Sequence, residues 1–134
     1  MGAMTAGVVL PLELGDENDL LLDTAAKVFE GSAVGLASGY AHALVNGDIF
    51  AGHAIRGADN TAGQAGDLSV KVRTGVYRMQ VTLGSVAQAN VGALVYMTYD
   101  GTYTLSSSSA VKVGRITRYV ATNTCVVEFH AMAL

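Results

Sequence analysis

Residues 68–83 constrain this chain more than any other stretch. Leu68, Val70 and Val72 alternate with Ser69, Lys71 and Arg73. After Thr74-Gly75, Tyr77, Met79, Val81 and Leu83 alternate with Arg78, Gln80 and Thr82. A period of two turns successive side chains to opposite faces, so each run offers one face to a core and one to water. Two such runs around a short Gly-containing turn predict an antiparallel hairpin. Just ahead, residues 57–67 hold three Gly, two Asp and an Asn, with no apolar side chain larger than Ala, which predicts a loop.

The rest of the chain reads the same way. Strands are expected over residues 20–22, 28–36 and 40–44, then a turn at Asn46-Gly47-Asp48. Gly31, Gly35 and Gly39 disfavour a long helix there, since each costs about 1 kcal/mol relative to Ala. Residues 94–99 and 102–105 flank Asp100-Gly101, a strong hairpin signal. Residues 112–120 and 125–129 flank a turn at Thr122-Asn123. The halves echo one another: Gly31, Val34, Gly39, Leu44, Gly52 and Ile55 against Gly92, Val95, Gly101, Leu105, Gly114 and Ile116. One β motif used twice is the expectation. Many short strands separated by turn signals predict an all-β barrel or sandwich.

At 134 residues the chain is expected to form one domain, able to bury roughly two-thirds of its unfolded surface. Residues 1–19 read as an arm and residues 20–134 as the β domain. Val8, Val9, Leu10, Pro11 and Leu12 form a short apolar piece with the only Pro of the chain, followed by an acidic run from Glu13 to Asp19. Proline denies a ladder donor, so this piece suits an edge strand or an extended segment. An extended apolar arm can add a strand to a partner. Five apolar residues among the seven of positions 8–14 are costly to leave in water. Val8, Val9, Leu10, Pro11 and Leu12 are therefore the candidate partner-binding residues.

Composition supports an assembling protein. Hydrophobic residues make up 51% and charged residues only 14%, against a usual ~25% charged. A monomer normally covers itself with more charge, so part of this surface is expected to be hidden in an assembly. The formal net charge of −3 is unevenly spread: −5 over residues 1–30, −2 over 31–70 and +4 over 71–134. An acidic front and a basic back suit docking of one on the other.

No constellation for chemistry is visible. His42, His53 and His130 lie in separate segments without metal-ligand spacing and read as packed or surface histidines. Cys125 is the only cysteine, in phase with Val127 and Phe129, which makes it a core thiol. Asp16-x-Asn18 begins like a calcium loop but lacks the later ligands. There is no phosphate-binding loop with a lysine and no Gly-x-Ser-x-Gly. No enzyme, cofactor or metal is expected. Arg73, Arg78, Arg115 and Arg118 with Tyr77, Tyr96 and Tyr119 do not make a stacking platform, since Tyr77 and Arg78 point to opposite faces of a strand. Nucleic acid is not an expected partner. No run of about eighteen apolar residues spans a membrane, and the basic start of a secretion signal is missing.

Phe50-Ala-Gly-His-Ala-Ile, then Asp59-Asn60 and the Gly-rich loop into Leu68-Ser-Val-Lys-Val, resembles the head decoration (cement) proteins of tailed bacteriophages. The resemblance continues through Gly75-Val-Tyr, Asp100-Gly101 and Val113-Gly114-Arg115, covering residues 28–129. It implies a small β-tulip-like protein, homotrimeric, made in the host cytoplasm and bound to the major capsid protein lattice on the virion exterior. The alternatives are a β-barrel module for a peptide or carbohydrate, or another phage structural component such as one of the tail.

Adding EDTA to the purified protein is expected to leave its melting temperature unchanged. A shift of several degrees would reveal a metal site that the spacing does not show.

Overall fold

The structure, a computed structural model, describes residues 2–3, 5–7 and 10–134. Its strands are β1 (Glu17–Leu21), β2 (Lys27–Val28), β3 (Ala33–Ala37), β4 (Tyr40–Ala43), β5 (Ile49–Ala54), β6 (Ala58–Asp59), β7 (Ser69–Arg73), β8 (Val76–Thr82), β9 (Leu94–Tyr99), β10 (Thr102–Thr104), β11 (Val111–Ala121) and β12 (Thr124–His130). A single 3-10 turn, Gln88–Asn90, is the helical content of the described residues. The strands form two five-stranded sheets and a small β2–β6 pair. The chain is an all-β sandwich.

Both large sheets have one topology. The first runs β1-β7-β5-β3-β4 and the second β8-β12-β11-β9-β10, so each has an early strand at one edge, a hairpin at the other and two later strands between them. Equivalent bonds recur. Gly31 N–H donates to Ala54 C=O and Ala54 N–H to Ser32 C=O; Gly92 N–H donates to Ile116 C=O and Ile116 N–H to Ala93 C=O. Val34 faces Gly52 across β3–β5, and Val95 faces Gly114 across β9–β11. The expected motif used twice is present, down to its glycines.

Those glycines sit at bulges. The ladder slips between Val34 and Gly35 on the first sheet and between Lys112 and Gly114 on the second. A Cβ on Gly52 would lie 1.9 Å from the Arg73 carbonyl oxygen, and one on Gly114 would lie 2.2 Å from that of Glu128. Gly52 also has φ +133°, which side chains rarely adopt. At the first bulge Phe50 faces the core shared with the second sheet and Ala51 the opposite core, yet His53 returns to the side of Phe50. A one-residue insertion inverts the alternation beyond it.

The proposed turn of residues 68–83 needs correction. β7 and β8 do have the expected faces: Val70, Val72 and Val81 are buried while Lys71, Arg73, Arg78 and Gln80 are exposed. They are not a hairpin. β7 lies between β1 and β5, and β8 pairs with β12 in the other sheet. Thr74-Gly75 is a crossover, with Thr74 N–H on Asp16 C=O and Gly75 C=O accepting from Ala131 N–H. Alternation reports which face is buried, and any neighbour satisfies it. The hairpins at Asp100-Gly101 and Thr122-Asn123 form as expected. The loop of residues 57–67 holds a short strand, β6, and is organised by Asn60, which is buried and donates to the carbonyls of Asp23 and Gln64. β1 starts at Glu17, three residues ahead of the expected position.

Two cores result. The smaller one, lined by Leu22, Val28, Val34, Ala41, Val70 and Val72, lies inside the first sheet, which rolls toward closure through a Leu22–Ala41 bridge. The larger lies between the sheets around Phe50, Met97, Ile116, Cys125, Val127 and Phe129. There His53 is 3% exposed. Its Nδ1 lies 2.6 Å from the Tyr77 hydroxyl and its Nε2 2.9 Å from that of Tyr103. A neutral ring donates through one nitrogen and accepts at the other, so one tautomer satisfies both. β5 of the first sheet is thereby tied to β8 and β10 of the second. Burial lowers the His53 pKa to about 4. Burial, then the neighbouring Tyr103, holds the Tyr77 hydroxyl far above its usual range, and burial pushes Tyr103 up to about 12.

Gly52→Ala should destabilise the protein by more than about 3 kcal/mol in urea unfolding. Gly84→Ala, where an added Cβ meets nothing within 4 Å, should stay within about 0.5 kcal/mol; equal losses would remove the bulge from the argument. His53 makes stability depend on pH. Its neutral form is favoured on folding, so its contribution is present above the ordinary histidine pKa and lost as pH falls from 6.5 toward 4. The loss is about 3 kcal/mol. His53→Phe should be less stable at neutral pH, since two tyrosine hydroxyls lose their partner, but flatter across that window. The exposed carboxylates Asp59 and Glu128 are common to both proteins and cancel in the difference. Identical slopes would show that His53 does not titrate there.

Candidate assembly surface

The sequence places the partner-binding segment in the arm. Val8 and Val9 lie outside the described residues. Leu10, Pro11 and Leu12 have no regular structure and are exposed, Leu10 at 73% and Leu12 at 91%, with Leu14 at 79%. No backbone hydrogen bond ties residues 10–14 to the body. The arm enters the body at Gly15 and Asp16, against Thr74 and Gly75, and continues as edge strand β1. Glu13, Asp16, Glu17 and Asp19 thus lie together at one edge of the first sheet. Among the described residues Glu17 alone of these meets a cation, Lys71, at 4.0 Å.

The opposite charge collects on the outer face of the second sheet, and bulges put it there. Two of the slips along β11, between Lys112 and Gly114 and between Ile116 and Arg118, matter here. Strict alternation would set Lys112 and Arg115 on opposite faces. With the bulges, Val113 and Ile116 are buried and Tyr119 packs on the same core, while Lys112, Arg115 and Arg118 are all exposed. Arg78 on β8 continues the face, opposite Glu128, with Nε 3.1 Å from the carboxylate. His130 lies 3.1 Å from the same carboxylate. Those hydrogen bonds, Arg78 first, hold Glu128 below the usual carboxylate range. Lys112 and Arg118 meet no carboxylate within 4.0 Å among the described residues.

Beside this stripe is a groove of about 270 Å³, whose accessible apolar side chains are Leu94 and Ala133 and whose polar lining is Lys112, Arg115 and His130. Sequence reasoning found the positive half but not the stripe. Lys112, Arg115 and Arg118 recur every three residues, a spacing that strand periodicity scatters over both faces, and two bulges bring them to one.

His42 bonds the Asp48 carboxylate at 2.7 Å, His53 is held neutral between two tyrosines, and burial pushes the Cys125 thiol up. Among the described residues no three His, Cys, Asp or Glu side chains converge as a metal site. No helix is long and apolar enough to cross a membrane. Tyr77 packs on the core while Arg78 faces water, as the alternation requires.

No protein-family description matches the chain, and no curated protein matches it. A solved structure entitled the capsid of Myoviridae phage XM1 contains a chain of similar fold. The match has a TM-score of 0.54 and 18% sequence identity, covering 95% of this chain and 98% of that one.

Proposed function

We propose that this chain is a structural component of a phage virion: a decoration subunit that binds the outside of the major capsid protein lattice as a homotrimer and stabilises it by contact. The observation that carries the reading is the fold shared over nearly the whole length with a chain of a phage capsid. The order of motifs from Phe50 to Arg115 agrees with it, and so do the low charge content and the exposed leucines of the arm. No catalysis is part of the role. A peptide- or carbohydrate-binding barrel is disfavoured because the interior of the first sheet is filled by Leu22, Val28, Val70 and Val72.

The arm is the docking segment, reaching to a neighbouring subunit and strengthening attachment through the assembly. Burying Leu10, Leu12 and Leu14 would gain about 5–9 kcal/mol, while ordering five residues costs about 5–10 kcal/mol. The leucines alone roughly break even. Attachment through the arm therefore needs backbone pairing or charge complementarity from the partner.

Removing residues 1–14 leaves β1 and the Thr74–Asp16 bond whole, so the truncated protein should keep its β spectrum and melting temperature. In co-sedimentation with undecorated capsids, its affinity should fall at least about tenfold, equivalent to about 1.4 kcal/mol. Equal binding by both forms would move attachment to the β domain. Absence of binding by either would overturn the decoration role.

A further inference from the structure

We propose that the basic outer face of the second sheet receives the acidic arm of a second copy of this chain. The inference rests on the reading of the protein as a self-assembling subunit and names the contact through which it assembles. Three observations carry it. The arm projects from the body with Leu12 and Leu14 exposed and with Glu13 and Asp16 meeting no cation among the described residues. The receiving face presents Lys112, Arg115 and Arg118 in one row, two of them without a carboxylate partner among the described residues. The groove beside that row joins apolar side chains to cationic ones, matching a segment that carries Leu12 and Leu14 together with Glu13 and Asp16.

The two surfaces are different patches of one chain. A contact between unlike patches is heterologous, and repeated around an axis it closes a ring. Leu12 or Leu14 packs beside Leu94 and Ala133, and Glu13 and Asp16 lie against Lys112 and Arg118. The charges steer approach and fix register, and the leucines slow dissociation. Arg115 already donates to the Gly92 carbonyl, so it shapes the groove, while Lys112 and Arg118 are the cations available to a partner.

The test is charge exchange on the full-length chain, read as mass by light scattering and sedimentation velocity at low and high salt. Wild type should be oligomeric and should dissociate as salt rises, since exposed pairs are screened. Lys112→Glu with Arg118→Glu should weaken association by about tenfold. Glu13→Lys with Asp16→Lys should do the same. Those two positions are exposed and outside the strands, so that variant tests the contact even if the sheet substitutions disturb folding. Combining all four substitutions should restore association. Unchanged mass in either double variant, or no recovery in the combined one, would overturn the contact. A monomeric wild type whose melting temperature responds to the exchange would place the arm on its own sheet, also overturning it. If the sheet variant stays oligomeric but loses capsid binding, the basic face belongs to the lattice instead. That result ends this inference and leaves the decoration role standing; absence of capsid binding by an oligomeric wild type does the reverse.

Discussion

The structure depends on two places where a strand lies so close to its neighbour that no side chain fits between them. Gly52 sits against the Arg73 carbonyl and Gly114 against that of Glu128. Each lies opposite a buried valine, Val34 or Val95, and each marks a slip in an otherwise regular ladder. A slip changes which face the following residues occupy, and in a strand that decides between core and water. The glycines act less by flexibility than by letting the register shift beside them.

The same device has opposite consequences in the two copies. On β5 the shift sends Phe50 and His53 to one side, so the strand is buried on both faces and His53 reaches two tyrosines on the other sheet. On β11 the shift, with a second bulge, gathers the apolar residues inward and the cations outward. One repeat becomes the interior partner of a sandwich and the other keeps a charged exterior. His53 and Arg115 each follow a bulge glycine by one residue, and the difference between them is the difference between a core and a surface.

The buried polar groups are satisfied within the fold: no buried side-chain nitrogen or oxygen among the described residues lacks a partner. What remains unsatisfied lies outside, as an apolar acidic arm at one edge and a basic sheet face elsewhere. The near-balance between burying the arm's leucines and ordering its backbone means that the partner surface decides whether the arm docks.

Local patterns determined much of the architecture. Alternation identified β7, β8 and β12, the Asp100-Gly101 and Thr122-Asn123 turns identified two hairpins, and the spaced glycines disclosed the duplication. The phase of Cys125 with Val127 and Phe129 was enough to place the thiol in the core. These features depend on neighbours in the chain, and they are legible there. Pairing between distant strands is not: β7 and β8 read as a hairpin because each carries a buried face, yet tertiary packing gave them to different sheets. Nor could the sequence show that His53 would meet Tyr77 and Tyr103, or that Lys112, Arg115 and Arg118 would share a face. Both follow from bulges, whose single extra residue reverses the alternation by which strands are read, and a bulge exists only once the neighbouring strand has come to lie against it.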